Sequence, residues 1–133
     1  MPIRHAIIAA AALAACDAHD HAHDHRHPEV SSGATCPEGS ALTWETFGKA
    51  FMVEHCAPCH AAGLVGAERQ GAPAGHDLDT LGGALAMGAW HLDAVAGAGS
   101  LATNTAMPPA SFPSQPSLEA RRQLAEWLAC GLP

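Results

Sequence analysis

Three stretches of the chain carry the apolar periodicity of an amphipathic helix, and segments poor in large apolar side chains separate them. In the first, Trp44, Phe47 and Phe51 recur at i, i+3 and i+7 on one face. Thr43 is a suitable N-cap, so a helix is expected from there to about residue 55. Gly48 falls inside it, where glycine costs about 1 kcal/mol relative to alanine and marks a close helix crossing. A second helical stretch opens at Asp79 or Thr80 and runs to about residue 95, weakened by Gly82, Gly83 and Gly88 and ended by Gly97 and Gly99. The third starts near Ser117 and ends near Ala129. It carries Ala120, Leu124, Trp127 and Leu128 on one face, with Gly131 and Pro133 to stop it. Residues 61–77, rich in Gly, Ala and Pro, read as a loop. No segment has the alternation of a strand, so the expected fold class is all-α.

Composition sharpens this picture. Of 133 residues 48% are apolar, but Ala and Gly supply much of that bulk, with three Phe, three Trp and no Tyr. Such a core is thin for its length, and a buried cofactor would supply the missing apolar volume. The formal net charge of −7 leaves no basic face for nucleic acid.

The N-terminal pattern differs from the rest. Residues 1–15 combine Arg4 with an apolar run of Ile3, Ile7, Ile8 and an Ala-rich stretch with Leu13 that ends at Ala15. This is a signal-peptide pattern, too short for the ~20 residues that span a bilayer. Leu13-Ala14-Ala15-Cys16 is similar to the segment at which a bacterial lipoprotein is cleaved and lipidated, so Cys16 is the expected lipid anchor. The protein is then expected to be exported and held at a membrane, facing the periplasm or the outer surface of a bacterium. Residues 16–35 read as the lipidated Cys followed by a disordered tether, and 36–133 as the folded domain. Within the tether, His19, His21, His23, His25 and His27 alternate with small and acidic residues. They form either a solvated spacer or a site for divalent Cu, Ni or Zn.

The chemistry centres on Cys56-Ala57-Pro58-Cys59-His60. A Cys-x-x-Cys-His run is the attachment pattern of a c-type haem. Two thiols one turn apart reach the two vinyl groups of one porphyrin, and the adjoining imidazole ligates iron. A redox Cys-x-x-Cys would want a βαβ surround, and a zinc site a second Cys or His pair at finger spacing; neither pattern is present. With Cys16 assigned to lipid and Cys56 and Cys59 to haem, Cys36 and Cys130 remain of the five cysteines. In an exported domain they read as a disulfide tying the domain's start to its last helix, worth about 4–5 kcal/mol in the chain-entropy model.

Over residues 36–132 the chain resembles the class I c-type cytochromes. The resemblance rests on Cys56-Ala57-Pro58-Cys59-His60, on Gly48 placed eight residues before the first motif Cys together with Leu124-Ala125-Glu126-Trp127-Leu128, and on Met107-Pro108-Pro109. It departs at Met52, where the family often has an aromatic, and in the Gly/Ala-rich segment before Met107. The resemblance implies a bundle of three to four helices around one covalently bound haem c, with Gly48 letting the first helix cross the last against Trp127. It implies Met107 as the sixth iron ligand and a Pro carbonyl, nearest in position Pro73, accepting from His60. Arg69 is then a candidate partner for a haem propionate, or is simply solvated. Among Met52, Met87, Met107, His55, His76 and His91, loop position and two following prolines favour Met107, with His91 the second candidate.

These readings imply electron transfer between redox proteins, with no catalytic residues, since two axial ligands close the iron. Two other classes compete: a haem enzyme or gas or peroxide sensor with an open sixth site, and a metal-binding lipoprotein acting through its His-rich tether.

Overall fold

A computed structural model describes residues 30–133. The segment 1–15, Cys16 and the histidines at 19, 21, 23, 25 and 27 lie outside the described residues. Every named element is helical, and the described residues contain no strand beyond a single antiparallel bridge between Ala98 and Thr103.

The first helix begins at Thr43, whose side chain accepts from the Thr46 N–H while the Thr46 hydroxyl accepts from the Thr43 N–H. This reciprocal cap satisfies two backbone donors that a helix start leaves open. The first turn, Trp44–Gly48, is wound as a π-helix and continues into α1, Lys49–His55. A short α2, Ala57–His60, follows after Cys56, then a 3₁₀ turn at Gly66–Arg69. The second expected helix is two: α3, Leu81–Met87, capped by Thr80, and α4, Ala89–Ala96. Gly88 divides them at φ +88°, a conformation that breaks the helical path and that glycine takes at no steric cost. The last helix, α5, Leu118–Ala129, is capped by Ser117.

The core is built where α1, α4 and α5 meet, from Phe51, Met52, Leu92, Leu124, Trp127 and Leu128. Trp127 is fully buried and packs against Trp44 and Phe47, with ring centroids 6.1 and 6.3 Å away. A Cβ added at Gly48 would stand 2.6 Å from Trp127 Cζ2, so the first helix crosses α5 at a point where only glycine fits. Gly48→Ala is therefore expected to destabilise the domain by about 1–2 kcal/mol, overpacking outweighing the better helix propensity of alanine. Denaturant unfolding checks this, and an alanine variant as stable as the parent would contradict the crossing.

Cys36 and Cys130 lie at disulfide distance, with S–S 1.96 Å and Cα atoms 4.8 Å apart across a sequence separation of 94. Nearby, the Ser40 hydroxyl donates to Glu126 at 2.7 Å and the Trp44 N–H to the Pro133 carbonyl at 2.6 Å. The domain also begins earlier than residue 36. Ser32, expected in the tether, is fully buried; its N–H donates to Asp93 Oδ2 at 2.8 Å and its carbonyl accepts from Leu101 N–H at 2.8 Å. Asp93 is a buried carboxylate that needs donors, and this segment supplies two to Oδ2, the Ser31 hydroxyl and the Ser32 N–H.

Candidate functional site

The Cys56–His60 segment forms one tight turn. Cys59 N–H and His60 N–H both donate to the Cys56 carbonyl, at 3.1 and 2.9 Å. Both thiols are free and partly exposed. Burial pushes the Cys56 thiol up to about 12, and the nearby Arg121 guanidinium pulls it back only in part. A nucleophilic dithiol needs a lowered thiol pKa. Cys56 has the opposite.

His60 is half-buried, and burial lowers its pKa, with the hydrogen bond to a backbone carbonyl acting in the opposite sense. Its Nδ1–H donates to the carbonyl of His76 at 2.9 Å. In the neutral ring this bond keeps the proton on Nδ1 and leaves Nε2 as the free lone pair, the tautomer that ligates metal, while burial is what disfavours the charged form. The expected acceptor, Pro73, serves Arg69 instead: Nη2 donates to the Pro73 carbonyl at 2.7 Å.

Arg69 itself is neither solvated nor turned outward. It is buried, donates to the carbonyls of Ala61, Ala72, Pro73 and His76, and lies 2.9 Å from Asp77 Oδ1. A guanidinium with five donors suits this task, since a loop without regular structure must place its carbonyls somewhere. Arg69 thus shapes the loop that presents the His76 carbonyl to His60.

Of the axial candidates, Met52 is fully buried in the core and Met87 packs at its edge. His55 Nδ1 donates to the Ser114 carbonyl at 3.0 Å, and its ring meets the edge of Phe51 at 4.9 Å. His76 contributes its carbonyl to His60, and His91 lies half-buried on α4. Met107 stands apart from all of these. It is 40% exposed, in the loop between α4 and α5, outside the packed core.

That loop is fastened on three sides. Met107 N–H donates to the Val95 carbonyl on α4 at 2.9 Å. Arg121 Nη1 on α5 donates to the Met107 carbonyl at 2.9 Å. Ser114 accepts from His55 through its carbonyl and donates its hydroxyl to Glu54 at 3.0 Å. Since His55 precedes Cys56 directly, the far part of the loop is anchored beside the cysteine turn. The structure thus ties the Ser114 end of the Met107 loop to the end of α1 that leads into the Cys56–His60 turn.

Two roles in this site escaped the sequence reading. His76, weighed there only as an axial candidate, acts through its backbone, which no side-chain pattern reveals. Arg121 had a signal: it precedes Leu124 by three residues and Leu128 by seven, a cation on the apolar stripe of α5.

The residues present fit a c-type haem: two free thiols on one turn and an imidazole whose second nitrogen is already committed. Among the described residues no group of three or more His, Cys, Asp or Glu side chains is arranged to hold a metal ion, and no helix is long and apolar enough to cross a membrane. Comparison with protein-family models, with curated proteins and with solved structures finds no match to this chain.

Proposed function

We propose that this protein is an electron carrier of the class I c-type cytochrome kind. It would hold one haem c through Cys56 and Cys59, with His60 and Met107 as axial ligands. The observation that carries the reading is the His60 Nδ1–His76 carbonyl bond at 2.9 Å on the same turn as two free thiols. That bond orients the ring, selects the tautomer and increases the basicity of Nε2. Bound haem would supply an iron that gains and loses one electron, and a thioether ligand raises its potential relative to two imidazoles.

The rest of the chain supports a carrier. Among the described cations Arg69 and Arg121 are buried, leaving Lys49 and Arg122 at the surface among Glu38, Glu45, Glu68 and Glu119. Such a surface steers toward a basic redox partner protein. The residue 1–16 pattern supports export and a lipid on Cys16, which would hold the domain at the outside of a membrane.

The test is spectroscopic. Protein made in a host that attaches haem should, when oxidised, show the weak sulfur-to-iron band near the red end of the visible spectrum. Met107→Ala should abolish the band, lower the potential and open the iron to CO and cyanide, whereas His91→Ala should leave it nearly unchanged. Loss of the ligand in His91→Ala, with Met107→Ala silent, means a bis-His iron. Rapid CO binding by the unaltered protein would turn the reading to an enzyme or sensor with an open sixth site.

A further inference from the structure

Arg121 is a buried cation with only 4% of its surface exposed, and no acidic side chain of the described residues bonds it. A buried guanidinium is costly unless its donors are met. Here one nitrogen meets three carbonyls. Nη1 donates to Ala96 at 3.0 Å, Asn104 at 2.9 Å and Met107 at 2.9 Å. Ala96 is the last residue of α4, so the cation sits at the negative end of that helix. Asn104 and Met107 are two points of the loop, three residues apart. The backbone of Arg121 joins in, its carbonyl accepting from Ala98 N–H at 3.0 Å.

Met107 is held at both ends of its own residue, its N–H on Val95 and its carbonyl on Arg121. For its side chain to leave a bound metal by loop movement, both bonds must break. Arg121 also lies close enough to Cys56 for its charge to favour the thiolate there. One side chain therefore joins the end of α4 to two points of the Met107 loop.

We propose that Arg121 is the positioning residue that keeps Met107 at the site, so that the guanidinium sets how readily another ligand replaces the Met107 thioether. This rests on Met107 being an axial ligand. Its charge alone does not do this. The three converging carbonyls need a nitrogen at one point, and a lysine ammonium has three donors but a shorter stem.

The experiment compares Arg121→Lys and Arg121→Gln holoproteins with the parent and with Gly48→Ala, a variant destabilised away from the loop. Two readouts apply: imidazole displacement of the red-end sulfur band in ferric protein, and hydrogen exchange at the Met107 N–H. Arg121→Gln should raise the displacement constant about tenfold or more, the scale of a lost charge-assisted hydrogen bond. Met107 N–H exchange should quicken by a similar factor, and Arg121→Lys should fall between Gln and the parent. Gly48→Ala should leave displacement within about twofold of the parent despite its lower stability. The proposal is overturned if both Arg121 variants match the parent in displacement and exchange, or if Gly48→Ala matches their displacement. It is also overturned if neither Arg121 variant accumulates folded, which would assign the residue to the fold at large. If the parent lacks the sulfur band, the ligand assignment fails; Met107 N–H exchange in the variants still reads the grip of Arg121 on the loop.

Discussion

Cys56→Ala combined with Cys59→Ala is expected to yield protein that keeps no haem after denaturation, where the parent keeps one per chain by mass. This is the largest effect anticipated for any change in the chain, because both attachment bonds are removed at once. His60 would remain, with Nδ1 on the His76 carbonyl, so reversible ligation through one imidazole would still be possible. That contact alone cannot survive unfolding, since the ring orientation depends on the loop that Arg69 and Leu78 hold around His60. Each single variant retains one thiol and should keep haem covalently at reduced yield. Retention of a full complement by the double variant after denaturation would remove the attachment assignment. A parent protein that never acquires haem in a competent host would remove the cofactor itself.

The second large effect is expected from cutting the Cys36–Cys130 link. Cys36→Ser with Cys130→Ser should cost about 2–5 kcal/mol, the range for a disulfide that closes a long loop. For a domain of this size that lowers the thermal midpoint by roughly 10 °C or more. Much of the stabilisation in the chain-entropy account comes from restricting the unfolded chain, and the native contacts near the link persist without it. Ser40 still meets Glu126, and Trp44 N–H still meets the Pro133 carbonyl. The serine variant should accordingly fold to the same helical structure and melt earlier. Circular dichroism of the parent with and without reductant, beside the serine variant, checks both halves. A midpoint unmoved by reduction would show that the two thiols are not joined in solution.

Legibility in the sequence followed the range of the forces involved. Helix starts at Thr43, Thr80 and Ser117 were readable because a cap is a contact between a side chain and backbone two or three residues on. The cysteine turn was readable for the same reason: two thiols and an imidazole within five residues share one turn whatever the rest of the chain does. The break at Gly88 was visible only as weakness, since a glycine inside a helical pattern permits a positive φ without demanding it.

Other features required the packed chain. Pro73 and His76 both offer carbonyls to the loop, and nothing local tells which one reaches His60. In the folded loop Arg69 meets both carbonyls, and that of His76 is the one His60 also reaches. The tether's end moved inward because Asp93, sixty-one residues from Ser32 in sequence, is buried and must be given donors. Arg121 reads on its own as a polar interruption of an apolar stripe. Only the return of the chain beneath α5 puts three carbonyls at its tip. By itself, then, the sequence determined the helix starts at Thr43, Thr80 and Ser117 and the grouping of two thiols and an imidazole on one turn, because these are interactions between near neighbours. The tertiary structure alone decided which carbonyl orients His60 and which side chain holds Met107, because buried donors and acceptors are satisfied by whatever the folded chain brings within reach.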